Sequence, residues 1–204
     1  MERLTGRGVY YGSGATEARA MAGEPVVVVG GANSAGEAAM HLSRYARHVT
    51  VIVRGPSLRP RMSDYLVREI EAAPNVSVET NTEIAEANGE HRLRSLVLRD
   101  RGTGATREAE ATGAFILIGA APRTEWLPDE IARDDRGFVL TGADRPGGGP
   151  GEGAPLETTL PGVFAAGDVR HGSEKRVAAA VGEGSTAIRQ IQATRTRRTE
   201  TVPS

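Results

Sequence analysis

Apolar residues in the first part of the chain occur either in continuous runs or at helical spacing. Pro25–Val29 holds four successive valines before two glycines, and His48–Val53 is a second apolar run. Such runs predict strands buried on both faces of a parallel sheet. Ser34–Ala46 and Ser63–Ala72 have the spacing of helices, and Val76–Glu79 predicts a third strand. This order predicts a Rossmann-like, doubly wound α/β fold.

The pattern changes after the third predicted strand. Apolar and charged residues alternate around turns within Val76–Ala111, which predicts a three-stranded antiparallel insertion on the parallel sheet. Ala114–Gly119 and Val163–Ala166 predict two further buried strands, and Ser173–Gln192 predicts a helix. Residues 193–204 contain three arginines and almost no apolar side chain, so we expect a disordered tail.

Composition and charge exclude several classes of function. The net charge is −1, so we expect no general attraction to nucleic acid or to an anionic membrane. No apolar run approaches the roughly 20 residues of a membrane helix, and no signal peptide is evident, which predicts a cytoplasmic protein. The chain has no cysteine, and its four histidines lack metal-ligand spacing, so we expect neither dithiol chemistry nor a metal site.

The turn after the first strand carries the candidate dinucleotide chemistry. Its six residues are Gly30, Gly31, Ala32, Asn33, Ser34 and Ala35. In the dinucleotide fingerprint, the first glycine allows a tight turn, the third position approaches the pyrophosphate, and a small sixth residue lets the helix pack closely. Ala32 replaces the glycine at the third position, where its methyl group would lie near the pyrophosphate. The alternative interpretation is a glycine-rich turn without a ligand.

The end of the second strand distinguishes between the two nicotinamide cofactors. NAD-specific folds place a carboxylate there for the ribose 2′-hydroxyl, but residues 49–58 contain none. Arg54 and Arg59, with Arg61 close by, occupy this loop instead. A guanidinium suits a 2′-phosphate, so the sequence favours NADPH over NADH. Alternatively, these arginines simply solvate an exposed loop.

Several of these segments resemble one enzyme family. Gly6–Val9 and Val26–Gly55 are similar to the NADPH domain of low-molecular-weight thioredoxin reductases, FAD/NAD(P)-dependent pyridine nucleotide-disulfide oxidoreductases of class II. Ile118–Thr124 is similar to that family's exit from the NADPH domain, and the likeness assigns Gly119 to the cofactor site. Leu160–Val169, which contains Phe-Ala-Ala-Gly-Asp, is the most specific motif.

The resemblance covers about residues 6–192 and implies a domain organisation. Residues 1–122 correspond to an NAD(P)H-binding domain, with 1–23 as a leading segment. Residues 123–192 correspond to the C-terminal part of an FAD-binding domain, an incomplete second α/β domain. The stretch from 171 to 185 looks most like a subgroup in which the reductase follows a cyclic-nucleotide-binding domain.

The resemblance also implies how a flavin would be held. In the family, the aspartate that matches Asp168, which follows Gly167, hydrogen-bonds the ribityl chain of FAD. The backbone at Arg176, Val177 and Ala178 corresponds to the segment that approaches the flavin ring. Both cofactors carry their own chemistry, so the protein needs only to position them. We therefore name no catalytic residue.

Two departures from the family alter the expected function. Gly12–Ala15 stands where the family has its redox Cys-x-x-Cys, so dithiol activity is not expected. The residues before Pro25 offer no second strand–glycine loop–helix for the FAD pyrophosphate, so we expect FAD to bind only if a missing half-domain is supplied. The leading hypothesis is a truncated module that moves hydride from NADPH to flavin.

Three alternatives stay open at this point. One is a non-enzymatic, nucleotide-binding regulatory module, favoured by the missing thiols and by Ala32. Another is one half of a split flavoenzyme, in which a separate polypeptide supplies the FAD half. The third concerns assembly, since a homodimer is also compatible with the sequence.

Overall fold

A computed structural model describes residues 1–12, 16–149 and 153–200, with side chains described as far as residue 195. The chain divides into two compact units, Met1–Gly119 and Ala120–Ser204. The first unit contains the candidate dinucleotide turn, and the second contains the Gly167-Asp168 motif.

The first unit is built from two sheets and two helices. In chain order, its elements are β1 (Val9–Tyr11), β2 (Pro25–Val29), α1 (Asn33–Leu42), β3 (His48–Ile52), α2 (Asp64–Ala72), β4 (Val76–Glu79), β5 (Thr82–Asn88), β6 (Ser95–Asp100), β7 (Thr106–Glu110) and β8 (Gly113–Ile116). A five-stranded parallel sheet has the order β1-β8-β2-β3-β4, and β5, β6 and β7 form an antiparallel sheet. The predicted α/β fold with an antiparallel insertion is confirmed.

Alternate residues of the central strand supply two hydrophobic cores. Val26 and Val28 pack with Leu42 of α1 and Ile70 of α2, whereas Val27 packs among buried residues of the antiparallel sheet. All three valines are at most 3% exposed, and each such burial contributes roughly 1.5–3 kcal/mol. The antiparallel sheet therefore covers the face that carries helices in a symmetric doubly wound fold.

Two strands of this unit are not predicted by the sequence. Val9–Tyr11 falls in the leading segment, but it forms the edge of the parallel sheet beside β8. Three residues are too short to show a period, and pairing with Gly113–Ile116 makes the strand. Thr82–Asn88 escapes prediction because a bulge between Ile84 and Glu86 breaks the alternation of apolar and polar positions.

The second unit is mostly irregular before one long helix, α3 (Val177–Glu200). The strand predicted at Val163–Ala166 is wrong, because among the described residues only an isolated bridge joins Phe164 to Glu157. A strand needs a partner, and no other bridge pairs this segment among the described residues. The helix starts later than predicted and continues past Gln192 to Glu200, into the segment expected to be disordered.

Candidate functional site

The candidate turn lies at the carboxyl edge of the parallel sheet, where the strand order reverses. From β2 the chain proceeds through α1 to β3 on one side, while β8 pairs with β2 on the other. Ligands of open α/β sheets bind outside the carboxyl ends of strands at such a switch point. The crevice here is bounded by Gly30 after β2 and by Leu117 after β8.

Gly30 is required by this geometry. Its φ of +152° lies in a region that L side chains rarely adopt. A Cβ atom at this position would lie 2.4 Å from the carbonyl oxygen of Leu117 and 3.0 Å from Cβ of Ala35. The neighbouring Gly31 leaves room for Val53, whose Cγ1 would lie 3.0 Å from an added Cβ. The turn is therefore pressed closely against β8 and β3.

The turn presents free hydrogen-bond donors. The amide of Gly30 donates to the carbonyl of Ile52, but the next four amides, of residues 31–34, have no acceptor among the described residues. Residues 31 and 32 precede α1 and residues 33 and 34 begin it, at the end where an α-helix always leaves N–H groups without an internal partner. Ala32, Asn33 and Ser34 are exposed. These donors and the helix dipole suit an anion such as a pyrophosphate.

Ala32, Asn33 and Ala35 of the turn have different structural roles. Ala32 precedes α1 with φ −109° and ψ 175°, a conformation open to any residue, so the backbone does not require glycine there. The side-chain oxygen of Asn33 accepts hydrogen bonds from the amide (2.8 Å) and hydroxyl (3.1 Å) of Ser63, which precedes α2. Ala35 is fully buried and permits close packing of α1 on β2. Asn33 therefore links the starts of both helices.

Arg54 begins the loop that follows β3. Its side chain is 68% exposed, and its Nε lies 4.0 Å from Oε2 of Glu83. Glu83 has a stronger partner, because Nη2 of Arg99 lies 2.6 Å from its Oε1. The hydrogen bond from Arg99, with further support from Arg101 and Arg54, lowers the pKa of Glu83. The Arg54 guanidinium therefore remains accessible to solvent.

The two remaining arginines of this loop differ in their surroundings. The guanidinium of Arg59 is directed to α2, with Nη2 3.1 Å from Glu71 and Nη1 3.7 Å from Asp64. Arg61 is exposed and forms no ion pair among the described residues. The sequence drew attention to Arg59, whereas the structure leaves Arg61 more available to a ligand.

Gly119 lies two residues beyond Leu117, at the end of the first unit, with φ +92° and open space around it. The carboxyl edge of the sheet thus gathers the turn, the arginine loop and the segment that leads to Gly119. The segment expected to replace the redox cysteines begins at Gly12, directly after β1, and its other residues, 13–15, lie outside the described part of the chain.

The remaining predicted site residues belong to the second unit. Gly167 and Asp168 begin a short 3₁₀ turn, Gly167–Val169, after an extended Ala166. Gly167 is buried with φ +77°, and a Cβ there would lie 3.2 Å from Cβ of Ala180 in α3. The Asp168 carboxylate is exposed and accepts no hydrogen bond from the described residues.

Arg176, Val177 and Ala178 form the start of α3. The amide of Ala180 donates to the carbonyl of Arg176, the first bond of this helix. The side chain of Val177 is 82% exposed. These residues place the amino end of a long helix in the same unit as Asp168.

Glu183, in the second turn of α3, was not singled out from the sequence. Its Oε2 accepts a hydrogen bond from the amide of Gly167 at 2.6 Å. Both its oxygens also bind the guanidinium of Arg170, at 2.6 Å from Nη2 and 3.2 Å from Nε. The Arg170 hydrogen bond, together with that from Gly167, lowers the pKa of Glu183 to about 2. Its sequence signal is weak, a carboxylate between two glycines inside a helix.

We expect Glu183 to make the second unit sensitive to acid. A carboxyl whose folded pKa of about 2 lies below its usual 4.5 stabilises the fold above pH 4.5 and loses this contribution as the pH falls towards 2. The full shift corresponds to about 3.4 kcal/mol, and solvent screening of the partly exposed pair makes the contribution smaller. Urea unfolding at several pH values should show that the free energy of unfolding falls more steeply below pH 4.5 in the wild type than in Glu183→Gln. Equal pH dependence of the two proteins would contradict this assignment.

The described residues offer neither a metal site nor a membrane helix. No cluster of three or more histidine, aspartate or glutamate side chains within residues 1–12, 16–149 and 153–200 could hold a metal ion. Among the helices in that part of the chain, none has the length and apolarity needed to cross a membrane.

The strand order and the glycine turn define the first unit as a Rossmann-like α/β domain. Residues 7–184 match the family described as pyridine nucleotide-disulphide oxidoreductase. The chain belongs to this family, whose members depend on flavin and NAD(P)H, and is thioredoxin-reductase-like.

Individual relatives support the same assignment. The chain is 37% identical over 186 residues to a thioredoxin reductase of Streptomyces clavuligerus, covering 91% of this chain and 54% of that protein. It is 33% identical over 165 residues to an NADH dehydrogenase of Bacillus subtilis, covering 81% of this chain and 30% of that protein. The chain thus spans about half or less of the length of these curated relatives.

A solved structure shows a similar arrangement of elements. The crystal structure of T. acidophilum thioredoxin reductase aligns with a TM-score of 0.74 and 30% identity, covering 94% of this chain and 59% of that chain. The predicted likeness to a subgroup fused to a cyclic-nucleotide-binding domain is addressed by none of these relatives and stays a prediction.

Proposed function

We propose that the first unit binds NADPH, with the pyrophosphate at the Gly30–Ala35 turn. The observation that carries this proposal is the row of four unpaired amides at the carboxyl edge of the sheet, at its switch point. The accessible guanidinium groups of Arg54 and Arg61 lie on the loop after the next strand, which suits the 2′-phosphate. Gly119 is proposed to border the same site.

The residues of the turn fit a dinucleotide at all but one position. The glycines at 30 and 31 leave no side chain between the turn and the neighbouring strands, and Ala35 keeps α1 close to β2. The methyl group of Ala32 is the departure, but it lies on an exposed residue. NADPH, when bound, supplies a hydride that a flavin accepts. The chain's own residues bind and orient the cofactor, and none of them is proposed to transfer a proton.

We further propose that the second unit supplies part of a flavin site. The exposed carboxylate of Asp168 accepts no hydrogen bond from the described residues. It can therefore accept a hydrogen bond from a ribityl hydroxyl. Arg176 precedes α3, and its amide donates to the carbonyl of Glu174 at 2.8 Å. The amides of Val177 and Ala178 and the positive end of the helix dipole would stabilise an electron-rich ring edge.

An uncovered face of α3 supports a further partner for this unit. Val177, Val181, Ile188 and Ile191 follow helical spacing, and all are exposed although large and apolar. Gly184 lies on the same face with open space around it. Exposed apolar faces of this kind mark interaction sites. We propose that a polypeptide corresponding to the rest of the relatives' length, or a second copy of the chain, covers this face.

Calorimetric titration of the purified chain tests the NADPH assignment. We expect NADPH to bind more tightly than NADH, because only NADPH offers the 2′-phosphate to the arginine loop. ADP-ribose, which shares the pyrophosphate but lacks this phosphate, should compete with both nucleotides. No binding of any of the three compounds would refute a dinucleotide site at the turn.

The chain by itself is expected not to retain FAD. The described residues contain one strand–glycine turn–helix, which we assign to NADPH, so the FAD pyrophosphate has no comparable turn within them. After incubation with excess FAD and desalting, the protein should be colourless and should not oxidise NADPH. A retained flavin band near one equivalent would contradict this prediction and indicate a self-sufficient flavoprotein.

A second candidate function is a non-enzymatic nucleotide-binding module. The absence of cysteine from all 204 residues favours it, since this chain cannot relay electrons through its own dithiol. The two functions are distinguished by adding the remaining segments of the Streptomyces clavuligerus relative in trans. Appearance of flavin absorbance and NADPH oxidation supports the oxidoreductase or a split flavoenzyme, whereas nucleotide binding alone supports the regulatory module.

A further inference from the structure

We propose that Glu183 and Arg170 form a positioning pair that sets the direction of the Asp168 carboxylate. This inference rests on the proposed flavin contact of Asp168 and identifies what holds that residue in place. Neither Glu183 nor Arg170 is proposed to touch a cofactor. Both act through the Gly167–Val169 turn.

The pair holds the turn at both of its ends. Before Asp168, the amide of Gly167 donates to Oε2 of Glu183 at 2.6 Å. After Asp168, the side chain of Arg170 binds both Glu183 oxygens, while the amide of Arg170 donates to the carbonyl of Gly167 at 3.0 Å. One carboxylate therefore binds Gly167, directly before Asp168, and Arg170, two residues after it, and bidentate geometry limits rotation of the guanidinium.

The burial pattern separates the supporting groups from the exposed one. The side chains of Glu183 and Arg170 are 18% and 17% exposed, and Gly167 is buried against α3. Asp168 alone in this set is exposed and accepts no hydrogen bond from the described residues. The turn is therefore held on its buried side and presents an accessible carboxylate on its exposed side. This arrangement suits the binding of a ligand.

A second set of contacts holds the last residue of the turn and the segment that follows it. The amide of Val139 donates to the carbonyl of Val169, and the amide of His171 donates to the carbonyl of Val139, both at 2.9 Å. Nδ1 of His171 lies 2.8 Å from Oδ2 of Asp134. These contacts anchor Val169 and His171, on either side of Arg170, but do not reach Gly167, so the start of the turn depends on Glu183.

Nuclear magnetic resonance of the ligand-free chain provides the first test. In the wild type, the Gly167 and Asp168 amides should have order parameters near 0.85, typical of rigid backbone. Glu183→Leu, which removes every contact, should lower them below about 0.6. Glu183→Gln keeps an acceptor for the Gly167 amide and should give intermediate values. Unchanged order in Glu183→Leu would overturn the proposal.

Glu157→Gln is the matched control, because Glu157 belongs to the same unit, is 15% exposed and lies 4.0 Å from Arg145. It should leave the order parameters of Asp168 unchanged. NADPH binding in the first unit should be the same in every variant and serves as a check on folding. If Glu157→Gln lowers the order parameter of the Asp168 amide as much as Glu183→Leu does, Glu183 has only a general structural role.

An equilibrium titration of FAD fluorescence, made with the remaining segments of the Streptomyces clavuligerus relative added in trans, tests the action through Asp168. Asp168→Ala should weaken FAD roughly tenfold, the effect of one charged hydrogen bond. Glu183→Leu should weaken it similarly, and the double variant should be no weaker than either single one. If the losses of FAD affinity in the two single variants add up in the double variant, Glu183 does not act through Asp168 and the positioning role is overturned. If Asp168→Ala has no effect, or if wild type binds no FAD, the proposed flavin contact fails, while the order parameters still decide whether Glu183 positions Asp168.

Discussion

Arg54→Ala and Arg61→Ala are each expected to weaken NADPH binding about tenfold or more while leaving the affinity for NADH nearly unchanged. Each variant loses one charge-assisted contact to the 2′-phosphate, worth roughly 1.5–3 kcal/mol. Both arginines are exposed, and neither is held in a close ion pair among the described residues. Calorimetric titration with both nucleotides measures the two affinities directly.

Arg59→Ala and Arg68→Ala serve as comparisons. Arg59 is held by Glu71 and Asp64, so its loss should affect NADPH less than the loss of Arg61. Arg68 is an exposed arginine of α2 outside the loop, and its replacement should change neither affinity. Equal weakening of NADPH and NADH in Arg54→Ala or Arg61→Ala would show that these residues do not bind the 2′-phosphate. A larger effect of Arg59→Ala would restore the assignment first suggested by the sequence.

Gly30→Ala is expected to produce the largest loss of stability in the first unit. The added Cβ would lie 2.4 Å from the Leu117 carbonyl oxygen, and this atom belongs to the residue that directly follows a paired strand and cannot easily move. The positive φ of +152° adds backbone strain. Strain and overpacking each cost about 1–3 kcal/mol, so we expect a total of roughly 2–6 kcal/mol in urea unfolding. Nucleotide binding should fall with it, because the turn and α1 must shift.

Gly104→Ala separates strain from steric conflict. Gly104 has φ +75°, but nothing lies within 4 Å of an added Cβ, so only the strain of about 1 kcal/mol is expected. The turn after β6 contacts the arginine loop, because Nη1 of Arg101 donates to the carbonyl of Arg54 at 3.0 Å, so Gly104→Ala is a control for stability and not for binding. If Gly30→Ala is as stable as Gly104→Ala, the segment after β8 can shift to accommodate the new methyl group. This result would contradict a close contact between Gly30 and the Leu117 carbonyl.

Local sequence determined most of the parallel sheet and both helices of the first unit. Four consecutive valines favour a strand covered on both faces, and the glycines after Val29 allow the sharp turn into α1. The spacing of Leu66 and Ile70 likewise defined the buried face of α2. Such features depend on neighbours within a few residues, so they can be read from the chain.

Tertiary structure decided which side chains of the arginine loop are held by neighbours and which remain accessible. The sequence placed three arginines in one loop, but only the fold turned Arg59 towards Glu71 and left Arg61 accessible. It also paired β1 with β8, two strands separated by about 100 residues, and brought Leu117 against Gly30. The motif around Asp168 was evident from the sequence. Its support by Glu183 was not, because a hydrogen bond between a helix side chain and a distant turn leaves no local pattern.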